Sequence, residues 1–488
     1  MKCSNFFRSL VLAVFLAALV PAVSSAVEGE ASVTRVADIW TGDFDGMAER
    51  RVIRALVVHN KMLFFLDQGR SRGMTHDLLL EFEKFINEKL QTGTLKLKVL
   101  AVPVTRDNLL PSLLEGKGDI AAANLTITPE RGQQVDFSDP FLKEVSEIVI
   151  TGPGEPKLES LDDLSGREIH VRASSSYQES LQELNDTLKK AGKAPVNVVP
   201  ADELFEDSDL LEMVNAGMIP GVVVDSHKAE FWEEIFDQIT LHPDVAVGSG
   251  GEIAWAFRKK SPRLEALVNE FFKGHRKGTL MGNILFKRYL QTNKWARTAT
   301  SPQELEKFNR TVELFRMYAD QYGFDYLMTA ALAYQESGLD QSKKSHVGAI
   351  GIMQLMPSTA ADKNVGIPDI GNIENNIHAG NKYLRFLSSR YFDDPAIDPT
   401  NQTLLAFASY NAGPGRVARL RKEAAEMGLD PNVWFNNVEV VAAKRIGRET
   451  VQYVSNIYKY YVAYKLIVEK RAALEKAKDG IDPGPGSR

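Results

Sequence analysis

Glu336 closes the run "DYLMTAALAYQESG", in which Met328, Leu332 and Glu336 stand four residues apart. Residues at that spacing share one face of a helix. With Met328 and Leu332 turned to a core, the glutamate points inward or into a cleft, and Gly338 is a natural stop that puts it in the last helical turn. Partial burial disfavours a carboxylate, and the negative end of a helix repels it. Both effects keep a proton on the group near neutral pH, which is what a general acid requires. An isolated Glu-Ser-Gly is in most chains a solvated helix end, so the neighbouring residues decide.

From Gly348 the chain reads "GAIGIMQLMP". Gly348 and Gly351 let the backbone pass close to another group. Gln354 supplies an amide that donates and accepts, and Met353 and Met356 supply adaptable apolar surface. Later come "LLAFASYNAGPG", an apolar helix ending in Tyr410-Asn411, and "ETVQYVSNIYKYY", an aromatic-rich helix. Met and aromatic stripes at helical spacing usually mark a core, so the polar residues at the breaks carry the signal.

Elements able to position these groups occupy the second half. From about residue 300 the sequence turns all-helical: Ser301, Pro302 and Glu304 open a helix, and others follow around Tyr326, Ile377, Leu404, Glu439 and Gln452. The first half has a different texture. "RVIRALVVH", "LKLKVLAV", "GDIAAANLTI", "EIVIT", "EIHVRA", "PGVVVDS" and "EIAWAFR" read as strands, with "THDLLLEFEKFINEKL" and "SLQELNDTLKKAG" as helices between them. That alternation predicts α/β architecture with largely parallel sheets, over a span long enough for two lobes. The expected divisions are a leader over 1–26, an α/β part over 48–275, a linker over 276–302, an all-α part over 303–470 and a disordered Pro/Gly-rich tail over 471–488.

At 488 residues, two or three domains are expected. A formal charge of −6 argues against a nucleic-acid partner. The N-terminal stretch has Lys2 and Arg8, an apolar run from Leu10 to Val20, then Pro21 and small residues to Ala26, the layout of a secretory signal peptide. Cleavage there removes two cations and no acid, taking the charge from −6 to −8, and removes Cys3, the only cysteine. The mature chain then has no disulfide and no thiolate-held metal, which suits a bacterial envelope. The eight histidines form no ligand-spaced cluster, so neither metal nor cofactor is expected.

In their order, "ESG", "GAIGIMQLMP", "ASYNAGPG" and "ETVQYV" resemble the successive motifs of lytic murein transglycosylases of the soluble-lytic type, relatives of goose-type lysozyme. The resemblance covers about residues 305–465, with Ile352 where leucine is usual. It implies a lysozyme-like domain that cleaves the β-1,4 bond from N-acetylmuramic acid to N-acetylglucosamine in peptidoglycan glycan strands. Glu336 matches the single catalytic acid. Ser337 would support the site, and Met353 and Gln354 would line the sugar groove. Tyr410 and Asn411 would hold the substrate and the glutamate, and Tyr453 would pack near the acid. Conventional glycosidases need two carboxylates. The family's chemistry instead has one acid protonate the leaving oxygen, then deprotonate the sugar's 6-hydroxyl, which attacks the anomeric carbon to give a 1,6-anhydro end. Asp340, Asp362 and Glu374 are the nearby acids a hydrolase could use, and none lies in the motifs.

In the first half, "DIAAANLTITPERGQQVDFSDPF" and the pattern that follows to about residue 275 resemble family-3 extracellular solute-binding proteins. This implies a two-lobed periplasmic-binding-protein-like domain. Arg131 matches the arginine that forks a ligand carboxylate, with Thr126 a neighbouring donor, Ser175 in the second lobe's anion-facing turn and Asp225 on the ligand's amino group. Two departures stand against ordinary free-amino-acid binding: Asn124-Leu125 replaces the usual glycine, and "HNKMLFFLDQG" lacks the Pro-Pro-Phe pocket segment. Together the halves imply a periplasmic peptidoglycan lyase with a sensor for an amino-acid, peptide or muropeptide ligand, and with peripheral attachment to the outer membrane. Two alternatives stay open: a muramidase hydrolysing the same bond, and a non-catalytic peptidoglycan- or amino-acid-binding protein.

Overall fold

The computed structural model describes residues 39–67, 70–290 and 302–479. The expected leader, residues 291–301 of the expected linker, and residues 480–488 lie outside them.

Among the described residues, the first half has eleven strands: β1 (Val52–Val58), β2 (Phe65–Asp67), β3 (Arg70–Arg72), β4 (Lys98–Val104), β5 (Ile120–Thr126), β6 (Val135–Phe137), β7 (Leu142–Thr151), β8 (Glu168–Arg172), β9 (Asn197–Ala201), β10 (Gly221–Asp225) and β11 (Thr240–Arg258). All but the β2–β3 hairpin join one sheet of order β4-β1-β5-β11-β7-β10-β8-β9, with β6 also on β11. Each end of the sheet is parallel, and each forms a lobe. The expectation of largely parallel pairing fails in the middle, where β7 and β11 run antiparallel to each other and to their neighbours. The chain crosses from the first lobe to the second along β7 and returns along β11, and opposite crossings pair antiparallel. β1 is buried along nearly all its length, as a near-continuous apolar run requires in a sheet covered on both faces.

Helices used below are α1 (Met74–Lys89), α2 (Ser176–Lys190), α3 (Leu280–Leu290), α4 (Pro302–Tyr322), α5 (Tyr326–Ser337), α6 (Ile373–Tyr391), α7 (Pro399–Ala412), α8 (Glu439–Arg445) and α9 (Arg448–Asp479). α3 corrects the expected 276–302 linker. Leu285, Phe286 and Tyr289 sink into the first half's core, and the Tyr289 hydroxyl donates to Asp77 at 2.9 Å. α9 likewise corrects the expected tail, since the helix continues to Asp479.

The second half is helical, with α5 at its centre between α4 and α9. Ala331, Leu332, Leu404, Phe407 and Ile457 are fully buried around it. The two halves share one apolar cluster, in which Leu56, Leu100 and Val102 of the sheet meet Tyr458 and Tyr461 of α9. Polar bonds frame this contact. Arg51 Nη2 donates to Glu439 Oε2 at 2.5 Å and to Asn436 Oδ1 at 2.6 Å, and Lys459 Nζ donates to Glu83 Oε2 at 2.9 Å. Burial works against ionised Glu83, yet Lys459, Lys98 and the Val99 amide outweigh it and hold the carboxyl below its ordinary range.

Candidate active site

Asp325 caps α5, accepting from the Leu327 amide at 2.9 Å, and Gly338 ends it in the left-handed conformation at φ 71°. Met328 and Leu332 are buried on the face that carries Glu336, as their spacing predicts. Glu336 itself is half-buried in the last turn. Burial pushes its carboxyl up to about 7, against the opposing pull of a hydrogen bond from Tyr453 and the positive charge of Lys343. Tyr453 Oη donates to Glu336 Oε1. Burial, with the nearby Glu336 charge, raises the Tyr453 hydroxyl well above its ordinary value, so it stays a donor. Lys343 Nζ donates to the Glu336 main-chain carbonyl at 2.6 Å.

The 348–356 loop lies against the end of α5. Ser337 Oγ donates to the Ile352 carbonyl at 2.7 Å and accepts from the Asp340 amide at 3.0 Å. Ser337 is therefore a buried strut between helix and loop, not a groove residue. Met353 needs a similar correction. Its side chain is 0% exposed, wedged against Gly380 and Asn381 of α6, so it belongs to the core rather than to a sugar groove. What Met353 offers its surroundings is its carbonyl, which accepts from Tyr410 Oη at 2.8 Å. Gln354 sits at φ 47°, its amide donating to the carbonyls of Gly351 at 2.9 Å and Lys343 at 3.0 Å. Gly351 is required twice over: φ is +82°, and a Cβ there would lie 2.1 Å from Asn376 Nδ2.

Asn411 and Tyr453 are tied to the same helix. Thr450 of α9 donates to Asn411 Oδ1 at 2.7 Å, one turn before Tyr453 reaches Glu336. The expected grip of Tyr410 and Asn411 on the glutamate thus falls to Tyr453, while Tyr410 holds the loop and Asn411 is held by α9. Asn376 is a residue the sequence reading missed. It is fully buried on α6, accepts from the Met353 amide at 2.9 Å, and donates to the carbonyls of Ile350 and Ile370 at 3.0 Å each. The available signal was an asparagine on the apolar face of an amphipathic helix. The three other acids are engaged elsewhere: Asp340 with Ser342, Asp362 with Asn364, and Glu374 with Tyr318.

In the first half, the four residues matched to ligand binding gather where the lobes meet. Arg131 donates to the Thr126 carbonyl of one lobe at 2.8 Å and to the Ser174 carbonyl of the other at 3.0 Å. Asp225 is buried and paired with Lys228 at 2.7 Å, and it also accepts from Asn124 across the cleft at 3.2 Å. Ser175 departs from its expected role. Its hydroxyl donates to the Arg172 carbonyl at 2.6 Å and caps α2, so it is Ser176 that reaches Thr126 Oγ1, at 3.4 Å. Asn124 Oδ1 and Asp225 Oδ1 are buried without a hydrogen-bond partner. Two acceptors in that state favour an incoming N–H group.

Residues 60–291 match the family model of bacterial extracellular solute-binding proteins, family 3, and residues 313–431 match the transglycosylase SLT domain. Over 430 residues the chain is 30% identical to a membrane-bound lytic murein transglycosylase F of Desulfosudis oleivorans, covering 84% of this chain and 89% of that protein. A protein of the same name from Pseudomonas fluorescens is 27% identical over 461 residues, 90% of each chain. Among solved structures, an ancestral arginine-binding protein bound to arginine is 26% identical, covering 49% of this chain and 97% of that one at a TM-score of 0.40.

Proposed function

The chain belongs to the family of membrane-bound lytic murein transglycosylase F, and from that premise we propose that its single acid, Glu336, forms a 1,6-anhydromuramic acid end. The protein is a lytic murein transglycosylase that acts on peptidoglycan. In the proposed cycle, protonated Glu336 gives its proton to the glycosidic oxygen as the bond to the anomeric carbon breaks. The resulting carboxylate then takes the proton of the same sugar's 6-hydroxyl, whose oxygen bonds to the anomeric carbon. The acid is regenerated and no water is consumed. The observation that carries this reading is the state of Glu336: a half-buried carboxyl near 7, with Tyr453 donating to it. Such a group keeps its proton toward neutral pH, as a general acid requires, and the first proton transfer itself creates the carboxylate that acts as base. Gln354 and Asn411, half-buried at the loop and helix ends, are the proposed sugar contacts.

Mass analysis of the products released from purified peptidoglycan tests this. Muropeptides one water lighter than hydrolysed ones are expected. Reducing ends would establish the rival muramidase instead.

The first half is proposed to sense a peptide or muropeptide ligand that changes access to Glu336. Its support is the buried, unpartnered pair of acceptors at Asn124 and Asp225, with Arg131 within the same cleft. A ligand N–H can meet Asp225 Oδ1 while Lys228 stays on Oδ2, whereas a ligand carboxylate has to displace the two carbonyls from Arg131. Titrating a stem tripeptide into a turnover assay is expected to alter the rate, and an unchanged rate would remove this part of the reading. Coupling requires that ligand affinity differ between two states. For location we propose the periplasm with peripheral attachment to the outer membrane. The relatives are named membrane-bound, and among the described residues no helix is long and apolar enough to cross a membrane.

A further inference from the structure

A cavity of about 790 Å³ lies between the two halves, away from both sites described above. Its first-half wall carries Arg50, stacked 3.9 Å over the Trp40 ring, with Arg51, Lys96 and Lys98, and its second-half wall is lined by Phe435 and Tyr458. Its cations outnumber the acids that serve them. Arg50 shares Asp119 with Arg54 and Arg258, three guanidinium groups on one carboxylate. Lys98 shares Glu83 with Lys459. Lys96, half-buried, has no hydrogen-bond or ion-pair partner among the described residues. The two acids on the opposite wall offset part of this. Glu439 is taken by Arg51, and Asp398 caps α7 through the Thr400 and Asn401 amides. Burial lowers Arg50 and Lys98 from their ordinary values, and the neighbouring Arg54 and Lys459 add to the effect.

A cavity of this size with convergent charge and aromatic walls suits a small organic ligand rather than a macromolecular edge. The positive groups stand together on one wall, on the neighbouring 50–52 and 96–98 segments, which suits an anionic ligand. The opposite wall, with Phe435 and Tyr458 rings 5.1 Å apart, offers apolar faces to the body of the ligand.

We infer that this inter-half cavity is a second ligand site, for a muropeptide whose peptide carboxylates meet Lys96, Lys98 and Arg50 and whose sugar packs on Phe435 and Tyr458. The choice of muropeptide over other amphipathic anions rests on the peptidoglycan activity; the demand for an anion does not. Ser455 and Tyr458, which line the cavity, stand on the same helix as Tyr453, so an occupant touches the element that holds Glu336.

The test is calorimetric titration of N-acetylmuramyl tripeptide into the full chain carrying Glu336→Gln, which separates binding from turnover. Binding that weakens with rising salt is expected, as is a dissociation constant about tenfold larger in a Lys96→Glu background, the factor that corresponds to about 1.4 kcal/mol. Lys96 makes no hydrogen bond or ion pair among the described residues that the substitution would break, and Phe435→Ala gives an independent reading of the apolar wall, with weaker binding again expected. No binding overturns the proposal, as does binding that Lys96→Glu and Phe435→Ala both leave unchanged, which would assign the ligand to the lobe cleft or the glycan groove. Binding to phosphatidylglycerol vesicles that depends on Lys96, without muropeptide binding, would overturn it in favour of a lipid contact. None of these outcomes depends on which product the enzyme makes.

Discussion

Glu336→Gln is expected to lower peptidoglycan cleavage by roughly 10⁴-fold, the upper end of what a positioned acid or base contributes. The upper end applies because, in the proposed cycle, one side chain serves in both proton transfers. Glutamine can neither give the first proton nor take the second, while its size and its contact with Tyr453 are kept. The same variant is expected to be more stable than the native protein at alkaline pH. In the folded chain the carboxyl titrates near 7, against an ordinary 4.5. Between those values the folded state holds a proton that the unfolded state has lost. Stability therefore falls as pH rises through that window, and the full cost, about 3 kcal/mol, is present above pH 7. Glutamine has no such cost. Thermal unfolding of the two proteins should coincide near pH 4 and separate by pH 8, with the variant higher. Identical curves at pH 8 would mean that the carboxyl is solvated in the folded state, and would remove the basis for its role as acid. An inactive enzyme that gains stability is what a site held against the preference of its own residues should give.

The helix that carries Glu336 was legible because its signals are local. Gly338 stops it, and the four-residue spacing turns Glu336 with Met328 and Leu332, so neither fact needs the rest of the chain. β1, β4, β5, β7, β8, β10 and the end of β11 were legible for the same reason, while β2, β3, β6 and β9 were not. Side-chain direction within the 348–356 loop was not. Met353 and Gln354 are adjacent, and no periodicity governs a loop, so which of the two enters the core depends on the space beside Gly380, on another element. The strut at Ser337 and the anchor at Asn376 also depend on partners far along the chain. The helix α3 was hidden because "TLMGNILFKRYL" follows a Gly-containing break and reads as linker until the core that accepts Phe286 and Tyr289 is known. Contacts between the halves are the least legible of all: Arg51 and Glu439 are 388 residues apart.

Tyr453→Phe should move the alkaline limb of the pH–rate profile upward while lowering its plateau. The Tyr453 hydroxyl donates to the Glu336 carboxylate, and this is the larger of the two influences that oppose the effect of burial. A hydrogen bond to a charged group is worth about 1.5–3 kcal/mol, or about one to two pH units in the titration of its partner. Without it, burial acts with only the Lys343 charge in opposition, and the limb in kcat/KM should shift from near 7 to about 8 or above. The plateau should fall by about tenfold to a hundredfold, because the carboxyl loses the contact that fixes its direction. The two effects separate the possible roles of the tyrosine. If Tyr453 only packed α9 against α5, its loss would lower the rate equally at every pH and leave the limb in place. If it tunes the acid, the ratio of variant to native activity must rise with pH, since the variant keeps its proton where the native enzyme has begun to lose it. Asn456 and Lys459, which meet the first half, lie within two turns of Tyr453 on α9. The position of that limb is therefore also where any movement of the first half against α9 would register at Glu336.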